Sequence, residues 1–306
     1  MLELFINWNV NPDAFSIGSL TIRWYGILYA GAFLASYYAF KELLKNDKLP
    51  DDFAEYALTY MVLGTIIGAR LGDCFFYNHE YYLQNPLHIF ATWRGGLSSH
   101  GGAIGILTAL FLLGRKIKKP YIWVLDRVVI VIGVAGFFIR MGNLMNSEIY
   151  GHATTLPWGF IFERNGETIA KHPTQIYEAL YYALTYIVLR FVYRKSDNRP
   201  KPFLIFGMFL IIVFGFRFCI EFIKNLHDSL LEDKILSATG MNMGQFLSVP
   251  FIILGVIMLI ISTKQVQPAT VTDKPTHAHH PKHKPKPADK QTNTNQQRKK
   301  KQKKNK

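Results

Sequence analysis

The chain has 306 residues, is 49% hydrophobic with 23 Phe, 16 Tyr and 5 Trp, and carries a formal charge of +14. Its apolar residues gather into runs that can cross about 30 Å of hydrocarbon, which takes about 20 helical residues, and this excludes an ordinary soluble domain. The runs lack strand alternation, so helices rather than a barrel must satisfy the backbone in lipid.

The first 19 residues hold no Lys or Arg and no short apolar core before a small-residue site, so no cleavable leader is expected. Seven membrane-spanning helices are predicted over residues 20–43, 54–73, 96–114, 121–145, 174–192, 203–222 and 244–263, joined by short connections. In the second, "GTIIGARLG" sets Gly64, Gly68 and Gly72 four apart on one face, a packing seam, and Arg70 with Asp73 reads as an ion pair. The third opens with "GGLSSHGGAIG" (95–105), whose glycines admit neighbouring backbone or a ligand. His100 lies about one turn inside it, either a hydrogen-bonded structural histidine or a group that moves a proton near neutral pH. Asp126 and Arg127, early in the fourth, read as a structural ion pair or interfacial anchor. That helix ends in Arg140, Asn143, Asn146 and Glu148. Pro173 precedes the fifth and places Gln175, Tyr177 and Glu178 in its first turns, where capping and anchoring account for much of their presence. "RFCIEF" in the sixth spaces Arg217 and Glu221 for an i,i+4 pair. Cys74 and Cys219 both fall in spans, which suits buried, reduced side chains.

Residues 264–306 hold 13 Lys/Arg against Asp273 and Asp289, so this segment supplies +11 of the charge. Its Pro, Lys, Gln, Asn and His content cannot build a core. The expected division is therefore a membrane domain over 1–263 and a disordered basic cytoplasmic tail over 264–306. "HAHHPKH" (277–283) could bind a metal, although a solvated basic tail fits it better, and nucleic-acid binding would be unspecific.

Connections one, three and five carry twelve Lys/Arg, and the opposite connections carry Arg94, Arg164, Lys171, Lys224 and Lys234. Cytoplasmic loops are the basic ones, so the N-terminus lies outside and the C-terminus inside. Five basic residues remain within spans: Arg23, Arg70, Arg127, Arg140 and Arg217, all arginine. Intramembrane charge needs a partner or a function, and a planar fork of donors suits phosphate or carboxylate. This topology brings Tyr25, Arg70, His100, Arg140, Gln175, Tyr177, Glu178 and Arg217 to one depth, the outer third of the membrane. An anionic lipid head group is the ligand such a site would take.

"RWYG" (23–26), "GGLSSHGGAIG", "RMGNLMNSEIYG" (140–151), "HPTQIYE" (172–178) and "FGFRFCIEF" follow one another in an order and spacing that resembles the prolipoprotein diacylglyceryl transferases, over roughly residues 15–263. Ile139 and Leu144 depart from the usual residues of the fourth-helix motif without removing a polar group. The resemblance implies an all-α, seven-helix enzyme of the bacterial cytoplasmic (inner) membrane with its active site towards the outer leaflet. It implies transfer of the diacylglyceryl group of phosphatidylglycerol to the lipobox cysteine of a lipoprotein precursor, with release of glycerol 1-phosphate and with no metal or other cofactor. Carried over by position, the essential residues are Tyr25, His100, Arg140, Asn143, Glu148, Gly151 and Arg217. Arg140 and Arg217 would bind the phosphodiester and stabilise the leaving phosphate, while Asn143 and Glu148 hold Arg140 and the head group. Tyr25 would donate to a phosphate or hydroxyl oxygen. His100 would help deprotonate the thiol or orient the phosphate. A transporter would place polar groups at both depths or show inverted repeats, and a structural subunit would leave the outer cluster without a purpose.

Overall fold

The computed structural model describes residues 5–47, 49, 52–92, 95–225 and 230–266. Four short strands, β1 Ile6–Trp8, β2 Asp13–Ile17, β3 Leu20–Arg23 and β4 Phe160–Phe162, accompany nine helices among these residues. The helices are α1 Trp24–Leu43, α2 Phe53–Gly72, α3 His79–Gln84, α4 Ser99–Lys116, α5 Tyr121–Met145, α6 Thr174–Lys195, α7 Leu204–Ile220, α8 Leu230–Thr239 and α9 Met243–Thr263. Seven of them fall on the predicted spans, while α3 and α8 are short helices in connections. Three stretches, Phe53–Tyr77, Tyr121–Met145 and Met243–Thr263, are long and apolar enough to cross a membrane, and α7 is apolar but shorter. Helix α6 is less apolar because it carries Gln175, Glu178, Arg190, Arg194 and Lys195.

The bundle is assembled from antiparallel pairs. Ser36 donates to the Val131 carbonyl at 3.3 Å and Tyr25 packs on Gly142, so α1 runs against α5. Helix α2 meets α4 along the glycine seam: a Cβ on Gly68 would fall 2.6 Å from the Gly105 Cα, and one on Gly64 2.7 Å from the Gly105 carbonyl oxygen. Lipid tails are as apolar as leucine, so close backbone approach of this kind must hold such a pair together. The packing reading of Gly64, Gly68 and Gly72 is borne out, and Gly101 and Gly105 are their partners. One core of buried side chains, with Leu43, Phe53, Leu113, Val124, Tyr193 and Ile205 among the least exposed, closes one end of the bundle.

That end also holds Asp126 and Arg127, which do not pair with each other. Neighbours in a helix point about 100° apart. Arg127 makes a two-pronged bond to Asp47 at 3.0 and 2.9 Å, and Tyr193 donates to the same carboxylate at 3.1 Å. Asp126 accepts from the backbone N–H groups of Phe203 and Phe206 at 3.0 and 2.8 Å and so caps α7 from another helix.

Four further expectations are corrected. Residues 20–23 are strand, paired antiparallel with β2, so α1 starts at Trp24 and the mostly exposed Arg23 pairs with Asp13 at 3.4 Å outside the helix. Arg70 is not paired with Asp73: its five N–H donors go to the carbonyls of His88, Ile89, Ala91, Gly95 and Gly96. Asp73 instead accepts from Asn78 and Tyr82. Cys74 is buried as expected, but Cys219 is exposed, and both are free thiols. The connection between α5 and α6 is a built cap rather than a short link. Its β4 pairs in parallel with β1, and Leu144, Phe160 and Phe162 form a small core with Trp8 and Tyr150 packed on it. Of the tail, residues 267–306 lie outside the described residues, including "HAHHPKH".

Candidate active site

At the opposite end of the bundle from the main core, α5 runs out through Arg140 and Asn143 and turns back. The Glu148 N–H donates to the Asn143 carbonyl at 3.1 Å, and Ser147 and Ile149 on either side take left-handed φ values of 55° and 62°. A branched residue such as Ile149 rarely adopts that conformation, and strain of this kind gathers where a structure must aim a side chain. The side chain aimed here is Glu148, which accepts from Asn143 Nδ2 at 2.7 Å and from Asn146 Nδ2 at 3.4 Å. Gln175 Nε2 ties the Glu148 carbonyl to the start of α6 at 2.7 Å.

Arg140 is fixed from two sides. Its Nη1 donates to Asn143 Oδ1 at 3.3 Å, and its Nε lies 3.1 Å from Glu178 Oε2, an ion contact without the alignment of a hydrogen bond. Glu178 is wholly buried, and its other oxygen accepts from Lys224 Nζ at 2.8 Å. Lys224 lies 3.8 Å from Glu221, and Glu221 lies 3.8 Å from Arg217, the i,i+4 partner expected for it.

Gly151 bridges to Lys224 and donates to the His172 carbonyl at 2.9 Å. A Cβ there would collide with the Ile223 carbonyl oxygen and lie 2.9 Å from Thr174 Cγ2, so only glycine lets the cap lie against the segment carrying Lys224. Burial, followed by neighbouring His152, holds the His172 imidazole below its usual pKa, and burial raises that of Tyr150, which donates to Glu167 at 2.9 Å. Asn146 Oδ1, Ser147 Oγ and Gln175 Oε1 are buried without a protein hydrogen-bond partner. Native structures leave few such groups unpaired, and a ligand site is one place where they do.

The structure therefore joins Arg140, Asn143, Glu148, Gly151 and Arg217 through contacts that run over α5, α6, the cap and the end of α7. Tyr25, in the first turn of α1, enters through its ring, 3.0 Å from where a Gly142 Cβ would stand. His100 is exposed in the first turn of α4, and its Nδ1 is 3.1 Å from the Tyr77 hydroxyl. Among the described residues no hydrogen bond or ion pair joins His100 to the Arg140 network. Lys224 is the residue that sequence reasoning missed. Its place between two spans reads as a loop charge, but it is 8% exposed and bonded to Glu178. Its spacing from Glu221, i,i+3, was the available signal.

Beside this network an apolar cleft of about 420 Å³ opens between α6 and α7, lined by Tyr177, Leu180, Tyr181, Phe216, Ile220 and Ile223. A fork of arginine donors next to an apolar cleft offers one place for an anion and another for hydrocarbon. Among the described residues no three His, Cys, Asp or Glu side chains gather as metal ligands would.

The family model for prolipoprotein diacylglyceryl transferase matches residues 12–261. A protein of Chloroherpeton thalassium named phosphatidylglycerol–prolipoprotein diacylglyceryl transferase is 42% identical over 264 residues, covering 86% of this chain and 96% of its own length. Proteins of the same name are 43% identical over 274 residues in Porphyromonas gingivalis, with 86% and 96% covered, and 38% identical over 259 residues in Tolumonas auensis, with 84% and 98% covered. The match spans every residue of the site just described, and on that ground the chain belongs to the prolipoprotein diacylglyceryl transferase family.

Proposed function

We propose that this protein is a phosphatidylglycerol–prolipoprotein diacylglyceryl transferase, acting on the lipobox cysteine of a lipoprotein precursor in the bacterial cytoplasmic membrane. The observation that carries the reading is the fixed guanidinium of Arg140, held by Asn143 and Glu178 within the family match. In the proposed arrangement seven helices cross the bilayer (α1, α2, α4, α5, α6, α7 and α9), with the N-terminus outside and the C-terminus cytoplasmic. The positive-inside charge count and the antiparallel pairing of the helices support it. The site then opens at the outer leaflet, where lipid phosphate lies. Residues 1–263 form the catalytic domain, and the basic segment from 264 is separate from it.

The cysteine thiolate attacks the glyceryl carbon that bears the phosphate ester. A carbon–sulfur bond forms, the carbon–oxygen bond breaks with its electron pair passing to the phosphate oxygen, and glycerol 1-phosphate leaves. Arg140 and Arg217 bind the phosphodiester and stabilise the charge that grows on its oxygen, which preorganised donors do well away from water. Asn143 and Glu148 hold Arg140 and the head group, Gly151 keeps the cap close, and Tyr25 donates to a phosphate or hydroxyl oxygen. His100 takes the thiol proton or orients the phosphate. The apolar cleft between α6 and α7 suits an acyl chain. Incubating the purified protein with phosphatidylglycerol and a lipobox peptide tests the reading by mass spectrometry. The peptide should gain one diacylglyceryl group on its cysteine, and an unmodified peptide would overturn the assignment.

A further inference from the structure

Arg140 stands on α5 and Arg217 on α7, and no direct contact among the described residues joins them. A line of alternating charges does. It runs from Arg140 Nε to Glu178 Oε2 at 3.1 Å, from Glu178 Oε1 to Lys224 Nζ at 2.8 Å, from Lys224 Nζ to Glu221 Oε1 at 3.8 Å, and from Glu221 Oε1 to Arg217 Nη2 at 3.8 Å. Its middle is the most buried part, since the Glu178 side chain has no exposed surface and that of Lys224 is 10% exposed. Arg217, at the outer end, keeps 39% of its side chain exposed.

Two carboxylates near each other in a dry site repel, and each needs a cation to stay charged. Lys224 answers both at once. Removing it would leave Glu178 and Glu221 facing one another, and each would draw harder on the arginine beside it. The guanidinium positions would then shift, and an arginine fork misplaced by about 1 Å can cost about 10²-fold in rate. Resting on the transferase reading above, we propose that Lys224 is a positioning residue that ties Arg140 and Arg217 into a single two-sided clamp for the lipid phosphate. Gly151 belongs to the same device, because its missing side chain lets the cap bridge directly to Lys224.

The experiment uses the full chain in detergent with phosphatidylglycerol and a lipobox peptide, comparing the parent with Lys224→Met, Lys224→Arg, Arg217→Lys and the Lys224→Met/Arg217→Lys double variant. Lys224→Met should lose about 10²-fold in kcat/KM for the lipid. The KM for the peptide should stay within about twofold of the parent, while the thermal unfolding midpoint falls, because the buried Glu178 loses its partner. Lys224→Arg should recover most of the loss by restoring the cation. The double variant should lose far less than the product of the single losses, because the two act as one unit. A Lys224→Met protein with parental lipid kinetics overturns the proposal, as does one that loses equally on both substrates or whose loss multiplies with that of Arg217→Lys. If Lys224→Met fails to fold, Glu221→Gln carries the test, since it cuts the same line and must also weaken lipid kinetics while sparing the peptide's KM. An inactive parent would instead overturn the transferase reading and the clamp with it, whereas an active parent beside a silent Lys224 overturns the clamp alone.

Discussion

Arg140 has its Nε against Glu178 and its Nη1 on Asn143, so the remaining edge of the guanidinium is aimed by contacts made elsewhere on the group. A lysine at this position keeps the charge but cannot make both contacts and present a fork as well. Arg140→Lys should therefore fold normally and lose most of its turnover at saturating lipid, and near-parental turnover would remove Arg140 from the phosphate site. His100 is tested differently, because its hydrogen bond among the described residues goes to Tyr77. Glutamine can donate to a phosphate but cannot take up a proton. If His100 is the general base, His100→Gln should lose about 10²–10⁴-fold near neutral pH and recover as the pH passes the thiol's own range, about 8.5. A variant whose pH profile keeps the parental shape and a substantial rate would assign His100 to positioning. Residue identities of this kind were legible in the sequence because arginine inside an apolar run must be explained. Lys224 was not, since a lysine between two spans reads as solvated until the fold shows Glu178 beneath it.

At the scale of elements, the apolar runs place five helix starts and six ends to within about two residues, the usual uncertainty for ends that fray. The first and third helices start later than their apolar runs, at Trp24 and Ser99. Strand β3 pairs with β2 in place of a helical turn, and the α4 cap falls at Ser98, whose Oγ accepts from the Gly101 N–H at 3.2 Å. The strands were invisible for a simple reason. Three-residue strands such as β1 and β4 are too short to show alternation, and their pairing is made by partners about 150 residues apart. The glycine seam between α2 and α4 was legible as a face but not as a pair, because the spacing on one helix does not name its partner. It now makes a firm prediction. Gly105→Leu would drive a side chain into the Gly64 and Gly68 backbone, and overpacking of this kind costs about 1–3 kcal/mol. The thermal midpoint in detergent should fall, whereas the same change at Gly215, with nothing within 4 Å of its Cβ position, should be tolerated.

At the scale of the whole molecule, the bundle is pinned at both ends by charge and closed along its length by packing. The Asp47–Arg127 pair with Tyr193 secures one end, and the Arg140–Glu178–Lys224 contacts secure the other. The family match stops at residue 261, short of the basic segment. Truncation after Lys264 should consequently leave the purified enzyme's transferase rate within about twofold. A tenfold fall in the detergent assay would show that the segment takes part in turnover. The parallel pairing of β1 with β4 bears on how the chain is made. Ile6 donates to the Gly159 carbonyl at 2.9 Å and Trp8 to the Leu144 carbonyl at 3.1 Å, so β1 bonds to a cap that does not exist until α1 to α5 have been made after it. Closing so long a loop is entropically costly and slow, and it comes after the local helix pairs have formed. Strand β1 is thus made well before its partner and is among the last elements to find its place.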